Sequence, residues 1–214
     1  MNSNWAIVSD FDGTISQHDM ADNIYYYFGA ATREDIRQSY EGGEKVEDWI
    51  ARCLKRIKAD HAEVERYILD FGRPRAGAPE LIQYCRANGV PFEIASGGLD
   101  LYIDLLLKKW ELGGEKYTSG RVKRNSAGSY DVSYDHMFAQ APDLESFKAF
   151  CVRKYQEQGY KVIFCVDGNS DFKAALQADM VFARYKLTGL CAAAGRRTRR
   201  LDFRRILDFL KAGT

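Results

Sequence analysis

The sequence predicts an α/β fold: a Rossmann-like parallel sheet with helices on both faces, an inserted helical segment and a small β-hairpin. Three observations carry this expectation. Short apolar runs at 5–9, 91–95 and 161–166 alternate with stretches of helical spacing, the order that yields parallel strands joined by right-handed crossovers. Each run stops at a polar or glycine-rich cluster. Residues 17–73 show helical spacing with no strand among them, so they read as an insertion after the first strand.

Residues 5–9 are apolar enough for a strand covered on both faces. Asp10-Phe-Asp-Gly-Thr14 then turns the chain. From Asp19, the positions Met20, Ile24, Tyr27 and Phe28 follow a helical period and Gly29 offers a stop. Residues 44–58 give the clearest amphipathic helix, with Val46, Trp49, Ile50, Cys53, Leu54 and Ile57 on one stripe. Trp49 reads as core of the insertion, and Tyr25, Tyr26 and Tyr27 as shared between that core and a rim facing the site. A shorter helix carries Val64, Tyr67, Ile68 and Phe71 and ends at Gly72. The predicted division is therefore a core of residues 1–16 and 74–214 with a helical cap at 17–73.

After Pro74 the alternation resumes. A helix at 79–88 has Pro79 in its first turn and Gly89 just past its end. The strand at 91–95 stops at Ser96-Gly97-Gly98, and a helix follows over 99–109. Residues 116–124 and 129–135, joined by Asn125-Ser-Ala-Gly128, suit a hairpin. Asp143 caps a helix reaching Gly159, the strand at 161–166 ends at Asp167-Gly-Asn-Ser-Asp171, and Phe172–Ala178 reads as the next helix. A short strand at 180–183 and a helix at 202–211 close the chain.

Composition narrows the function classes. Of 214 residues, 31 are Lys or Arg and 30 are Asp or Glu, for a net charge of +1, which gives no general case for nucleic acid or acidic membrane as partner. The arginines from 196 to 205 are interleaved with Asp202 and Asp208 and read as a solvated helix face. Five scattered cysteines, at 53, 85, 151, 165 and 191, suit reduced core positions and neither a disulfide framework nor a zinc site. No basic-then-apolar segment opens the chain, and no apolar run approaches the ~18 residues of a membrane span. The expectation is a soluble, cytoplasmic protein, a monomer or homodimer.

In a parallel sheet the carboxyl ends of the strands share one edge, where ligands bind. Three strands here end in Asp10 and Asp12, in Ser96-Gly97-Gly98, and in Asp167 and Asp171. Four clustered carboxylates repel one another and any phosphate unless a cation joins them, and Mg²⁺ accepts both carboxylate and phosphate oxygens. A carboxylate can also attack phosphorus and split hydrolysis into two easier steps. Thr14 offers a hydroxyl, and Ser96 with the N–H groups of Gly97 and Gly98 can cradle phosphate oxygens.

The three motifs, in this order and strand context, resemble those of the haloacid dehalogenase superfamily of phosphohydrolases over roughly residues 5–185. The helical insertion just after the first motif is similar to the phosphoserine-phosphatase-like branch. The segments Asp10–Ile15, Gly97–Asp100, the hairpin and Val181–Arg184 look most similar to its methionine-salvage phosphatases. The resemblance implies Asp10 as nucleophile and Asp12 as general acid and base, the latter also a metal ligand through its backbone carbonyl. It further implies Ser96 as a phosphate-binding hydroxyl, Asp167 and Asp171 as Mg²⁺ ligands beside Asp10, and a catalytic lysine that falls on Lys148. Val166 stands where family members usually carry glycine.

The substrate expected from these residues is a small phosphorylated metabolite. Candidates to meet its leaving group are His18, Asp19 and Asn23 after the first motif, with Arg52 or Arg56 on the cap helix. The rival readings are a phosphoserine phosphatase, a phosphotransferase that passes the phosphoryl group to an alcohol, and a silent member that only binds a phosphorylated ligand.

Overall fold

The structure, a computed structural model, describes residues 4–126 and 128–213, without the side chains of Asn169, Tyr185 and Lys186. Its seven strands are β1 (Trp5–Ser9), β2 (Phe92–Leu99), β3 (Lys116–Arg124), β4 (Tyr130–Ser133), β5 (Lys161–Cys165), β6 (Met180–Ala183) and β7 (Arg199–Arg200). They form one sheet in the order β4-β3-β2-β1-β5-β6-β7. Every pairing is parallel except β3 with β4, the hairpin. All five residues of β1 are buried, as befits a central strand with both faces covered.

Four helices lie between β1 and β2: α1 (Met20–Tyr27), α2 (Arg33–Glu41), α3 (Val46–Leu54) and α4 (His61–Phe71), followed by α5 (Ala78–Ala87). The remaining helices are α6 (Asp100–Lys109), α7 (Asp135–Phe138), α8 (Leu144–Glu157), α9 (Phe172–Gln177), α10 (Tyr185–Ala193) and α11 (Phe203–Lys211). None of the described helices is long and apolar enough to cross a membrane.

Register decides where the chemistry lands. Ser9 pairs with both Ile94 and Cys165, so β1 finishes level with its neighbours and Asp10 follows at the sheet edge. Asp10 N donates to Cys165 O at 2.9 Å. Phe11–Ile15 then wind into one wide turn, closed by Ser16 N donating to Phe11 O at 2.9 Å. Asp12 is extended within it (φ −67°, ψ 130°) and Gly13 is left-handed (φ 63°), a conformation that favours glycine. Phe11 points away from the strand ends and stacks on Trp110, with ring centroids 5.8 Å apart.

The chain leaves and re-enters the sheet region side by side. Ser16 bridges Pro74 in antiparallel fashion, Gln17 N donates to Arg73 O at 2.9 Å, and Arg75 N donates to Ile15 O at 2.7 Å. On the far side of the helical segment, His61 Nδ1 lies 3.1 Å from the Tyr130 hydroxyl of β4. The α1–α4 helices are thus tied both to their linkers and to the hairpin.

Three details differ from the sequence expectation. Strand β2 does not stop at Ala95 but runs on to Leu99 with a slip in register between Ala95 and Leu99, so Ser96-Gly97-Gly98 is an irregular strand segment and not a turn. The stripe at 44–58 is helical only over Val46–Leu54. The arginine-rich stretch is not one helix face, because Arg199–Arg200 pair with β6 as an edge strand before α11 begins.

Candidate active site

The strand ends and helices α1, α2 and α3 enclose a cavity of about 760 Å³. Asp10, Asp12, Ser96, Gly97, Gly98, Lys148 and Asp167 line its floor. Asp10 is held on both oxygens: Oδ1 accepts from Phe11 N at 2.7 Å, and Oδ2 lies 2.9 Å from Lys148 Nζ. Lys148 is 2% exposed. Its ammonium also donates to Asp171 Oδ1 at 2.5 Å, and Asp171 Oδ2 accepts from Gly168 N at 3.1 Å.

Asp10, Asp167 and Asp171 each offer an oxygen within 4.8 Å of the others. This is an all-oxygen donor set of the kind a hard divalent cation takes. A side chain at Gly13 would land on Asp167 Oδ2, so the glycine keeps room for the third carboxylate. Burial first, and the neighbouring charge of Asp10 second, push Asp167 up to about 6. Burial lifts Asp171 to about 7 against the opposing pull of Lys148. Burial alone would lower the Lys148 ammonium, but Asp10 and Asp171 override it and hold it above its ordinary value. Carboxylates this ready to take a proton are short of positive charge, which a bound cation would supply.

Asp12 stands apart from that cluster. Its Oδ1 accepts from Met20 N at 2.8 Å, and its Oδ2 accepts from the Tyr102 hydroxyl. Burial raises it to about 7, although both hydrogen bonds work in the opposite direction. A carboxyl near neutrality can both give and take a proton at physiological pH. Ser96 is fully buried with Oγ accepting from Gly98 N at 3.0 Å. A Cβ at Gly98 would collide with the Tyr102 hydroxyl and Asp12 Oδ2, and Gly97 O accepts from the Tyr134 hydroxyl at 2.8 Å.

Two expected binding residues are placed elsewhere. Thr14 is buried and does not face the cavity; its hydroxyl donates to Asp167 Oδ1 at 3.0 Å. The left-handed Gly13 breaks the strand alternation that would have turned Thr14 toward the ligand, so Thr14 orients a carboxylate. Arg52 is not on the cavity wall either: Nη2 lies 2.7 Å from Glu44 and the guanidinium covers Trp49 at 4.8 Å. Its neighbours on α3, Val46, Trp49 and Ile50, are the ones that line the cavity. Trp49 is therefore wall as well as core. Arg56 donates to Ala30 O at 3.4 Å and Asn23 to Asp19 O at 2.6 Å, while His18 and Asp19 do line the cavity. Tyr25 is buried and Tyr26 and Tyr27 are exposed, with none of the three on the wall.

Other wall residues carried no sequence signal of their own. Tyr102, buried behind the wall against Asp12, falls on the apolar side of the 99–109 helix. The Arg75 guanidinium donates to Thr14 O at 2.7 Å, to Gln17 O at 3.2 Å and to the carbonyl of Gly13. Asp22 and Tyr40 face the cavity from α1 and α2, the hydroxyl donating to Asp22 Oδ2 at 2.6 Å. Burial raises Asp22, and burial with the charge of Asp22 raises Asp19 well above the ordinary carboxylate range.

The chain is similar to proteins named 2-hydroxy-3-keto-5-methylthiopentenyl-1-phosphate phosphatase. That of Lysinibacillus sphaericus is 28% identical over 86% of this chain and 84% of its own length. That of Bacillus cereus strain G9842 is 26% identical over 87% and 86%. Among solved structures, a substrate-bound phosphoserine phosphatase superposes with a TM-score of 0.73 at 20% identity, covering 98% of this chain and 99% of that one. An apo phosphoserine phosphatase gives 0.71 at 21% identity, covering 97% and 98%; both show a shared fold. Residues 7–176, which hold the three strand ends and Lys148, match the family described as haloacid dehalogenase-like hydrolase, and the chain belongs to that family.

Proposed function

We propose that the protein is a Mg²⁺-dependent phosphomonoester hydrolase that works through an aspartyl-phosphate on Asp10. The observation that carries this reading is the separation of roles at one sheet edge: Asp10, Asp167 and Asp171 converge within 4.8 Å, while Asp12, raised to about 7, is held away from them by Met20 and Tyr102.

The donor set fits Mg²⁺, which side-chain oxygens of Asp10, Asp167 and Asp171 would hold together with the backbone carbonyl of Asp12. When bound, the cation supplies positive charge to the phosphate oxygens and to the attacking carboxylate. The protein's own groups account for the rest. Asp10 attacks phosphorus, the bond to the leaving oxygen breaks, and protonated Asp12 delivers its proton to that oxygen. In the second half, Asp12 as carboxylate takes a proton from water, which attacks the phosphorus of the aspartyl-phosphate and releases inorganic phosphate with Asp10 regenerated. Lys148 neutralises Asp10 and the phosphate, and the Ser96 hydroxyl, held by Gly98 N–H, receives phosphate oxygens together with Gly97 N–H. Helices α1–α4 serve as a cap that limits water at the reacting centre.

The named relatives favour 2-hydroxy-3-keto-5-methylthiopentenyl-1-phosphate as substrate, and with it we propose a cytoplasmic methionine-salvage role. The test is phosphate release from that compound and from p-nitrophenyl phosphate, with and without Mg²⁺. Asp10→Asn should lower turnover by roughly three orders of magnitude or more. Full activity in Asp10→Asn, or no dependence on a divalent cation, would overturn the mechanism.

A further inference from the structure

The cap side of the cavity is acidic and aromatic, and it is knit together by one carboxylate. Asp22 Oδ2 accepts from the Tyr40 hydroxyl at 2.6 Å, and Trp49 lines the same cavity. Asp19 Oδ2 lies 3.4 Å from the same hydroxyl while Oδ1 caps α1 through Asp22 N at 2.8 Å. Helices α1 and α2 therefore meet at Asp22, whose carboxylate faces whatever stands beyond the phosphate, beside an Asp19 carboxyl that burial and the charge of Asp22 raise well above the ordinary range.

The cationic side chains on the cavity wall are already engaged. Arg37 is bound to Glu34 at 2.6 Å and to Glu41 at 2.9 Å. Arg75 donates to backbone carbonyls of the turn after Asp10, and Lys148 sits between Asp10 and Asp171. His18 packs against Phe71 with the rings tilted, 5.7 Å between centroids. Val46, Trp49 and Ile50 add an apolar surface beside the acidic one. A carboxylate on the leaving group would thus face like charge in a partly dehydrated space, where repulsion is far stronger than in water. Hydroxyl or ammonium groups would instead donate to Asp19 and Asp22.

We infer that this cavity selects phosphomonoesters whose leaving alcohol carries no negative charge, pairing hydroxyl or ammonium donors with an apolar stretch. The inference rests on the phosphatase reading above and narrows its substrate class, setting it against phosphorylated amino acids and sugar acids.

O-phosphoethanolamine and O-phospho-L-serine differ by a single carboxylate and make the decisive pair, with glycerol 1-phosphate as the neutral member. In the Mg²⁺-loaded enzyme, kcat/KM for phosphoserine should be at least about tenfold below the other two. Asp22→Asn and Asp19→Asn should each narrow the ratio between phosphoethanolamine and phosphoserine severalfold. Equal use of the pair by the wild type, or a ratio that neither variant moves, overturns the inference. Calorimetric binding of the same three compounds to the Mg²⁺-loaded protein gives a readout independent of turnover. Phosphoserine binding weakest with none hydrolysed would keep the selection and sink the phosphatase reading, while equal binding would sink the selection itself.

Discussion

The Tyr102 hydroxyl of α6 donates to Asp12 Oδ2 while the backbone of Met20 holds the other oxygen at 2.8 Å. Asp12 therefore has one orientation, fixed from α6 and from the start of α1 at once. Tyr102 is itself fully buried and packs beside Phe11, with ring centroids 6.1 Å apart.

Tyr102→Phe should change the pH profile more than the fold. Burial raises Asp12 to about 7 and the Tyr102 hydrogen bond opposes that rise, so its removal sends Asp12 higher. The first chemical step needs Asp12 protonated, and the alkaline limb of kcat/KM should move to higher pH. The second step needs the carboxylate, so kcat near neutrality should fall about tenfold. A profile that does not move would separate Tyr102 from Asp12.

Metal and pH should act together on stability. Asp12 and Asp171, near 7, and Asp167, near 6, all lie above the ordinary 3.8. Between about pH 4 and 7 the folded protein holds protons that the unfolded chain releases, so metal-free stability should fall as pH rises through that window. Mg²⁺ binds the ionised carboxylates and should raise Tm more at pH 8 than at pH 5. Thermal melts with EDTA or Mg²⁺ at both pH values check this, and an equal Tm gain at the two would contradict it.

Lys148→Ala should abolish turnover and weaken the fold. The lysine lies within 2.9 Å of Asp10 and 2.5 Å of Asp171, and removing one partner of a buried pair costs about 3 kcal/mol. In urea titrations of metal-free protein the loss should be larger at pH 8 than at pH 5, where Asp171 can relieve it by binding a proton. A loss independent of pH would argue for packing alone.

Arg75→Gln should loosen the turn after Asp10. The guanidinium donates to Thr14 O at 2.7 Å and Gln17 O at 3.2 Å, and leaving such carbonyls without a charged donor costs about 1–3 kcal/mol. Amide exchange over residues 13–17 should speed up and kcat should drop about tenfold. Arg75→Lys should rescue little, since a lysine cannot present the fork. Exchange as slow as wild type would show that the clamp is dispensable.

How far the sequence could be read follows from the range of each contact. The parallel sheet, its helical insertion and the Asp10, Ser96 and Asp167 strand ends rest on local pattern and strand polarity, both visible in one dimension. Lys148 was reached through family resemblance and proves to be the buried partner of Asp10. Thr14 meets Asp167 and not the cavity, because one positive φ at Gly13 resets which way the next side chain points. Arg52 lay beside the α3 stripe, and helical period alone does not say on which flank of a stripe a cavity opens. Helix α2 buries none of its residues, so no apolar period announced it. Tyr102 and Arg75 act across 90 and 61 positions of chain, and nothing in their immediate neighbours encodes that.

The antiparallel bridge between Ser16 and Pro74 has an evolutionary consequence. Because the two crossings that flank helices α1–α4 are adjacent, the segment between them begins and ends at nearly one point. Closure entropy grows only logarithmically with loop length, roughly 0.6 kcal/mol per doubling, so helices between these crossings can be lengthened, shortened or replaced with little penalty to the sheet. Descendants of this scaffold can then acquire new substrates by exchanging the segment between Ser16 and Pro74 while inheriting Asp10, Asp12, Asp167 and Asp171 unchanged.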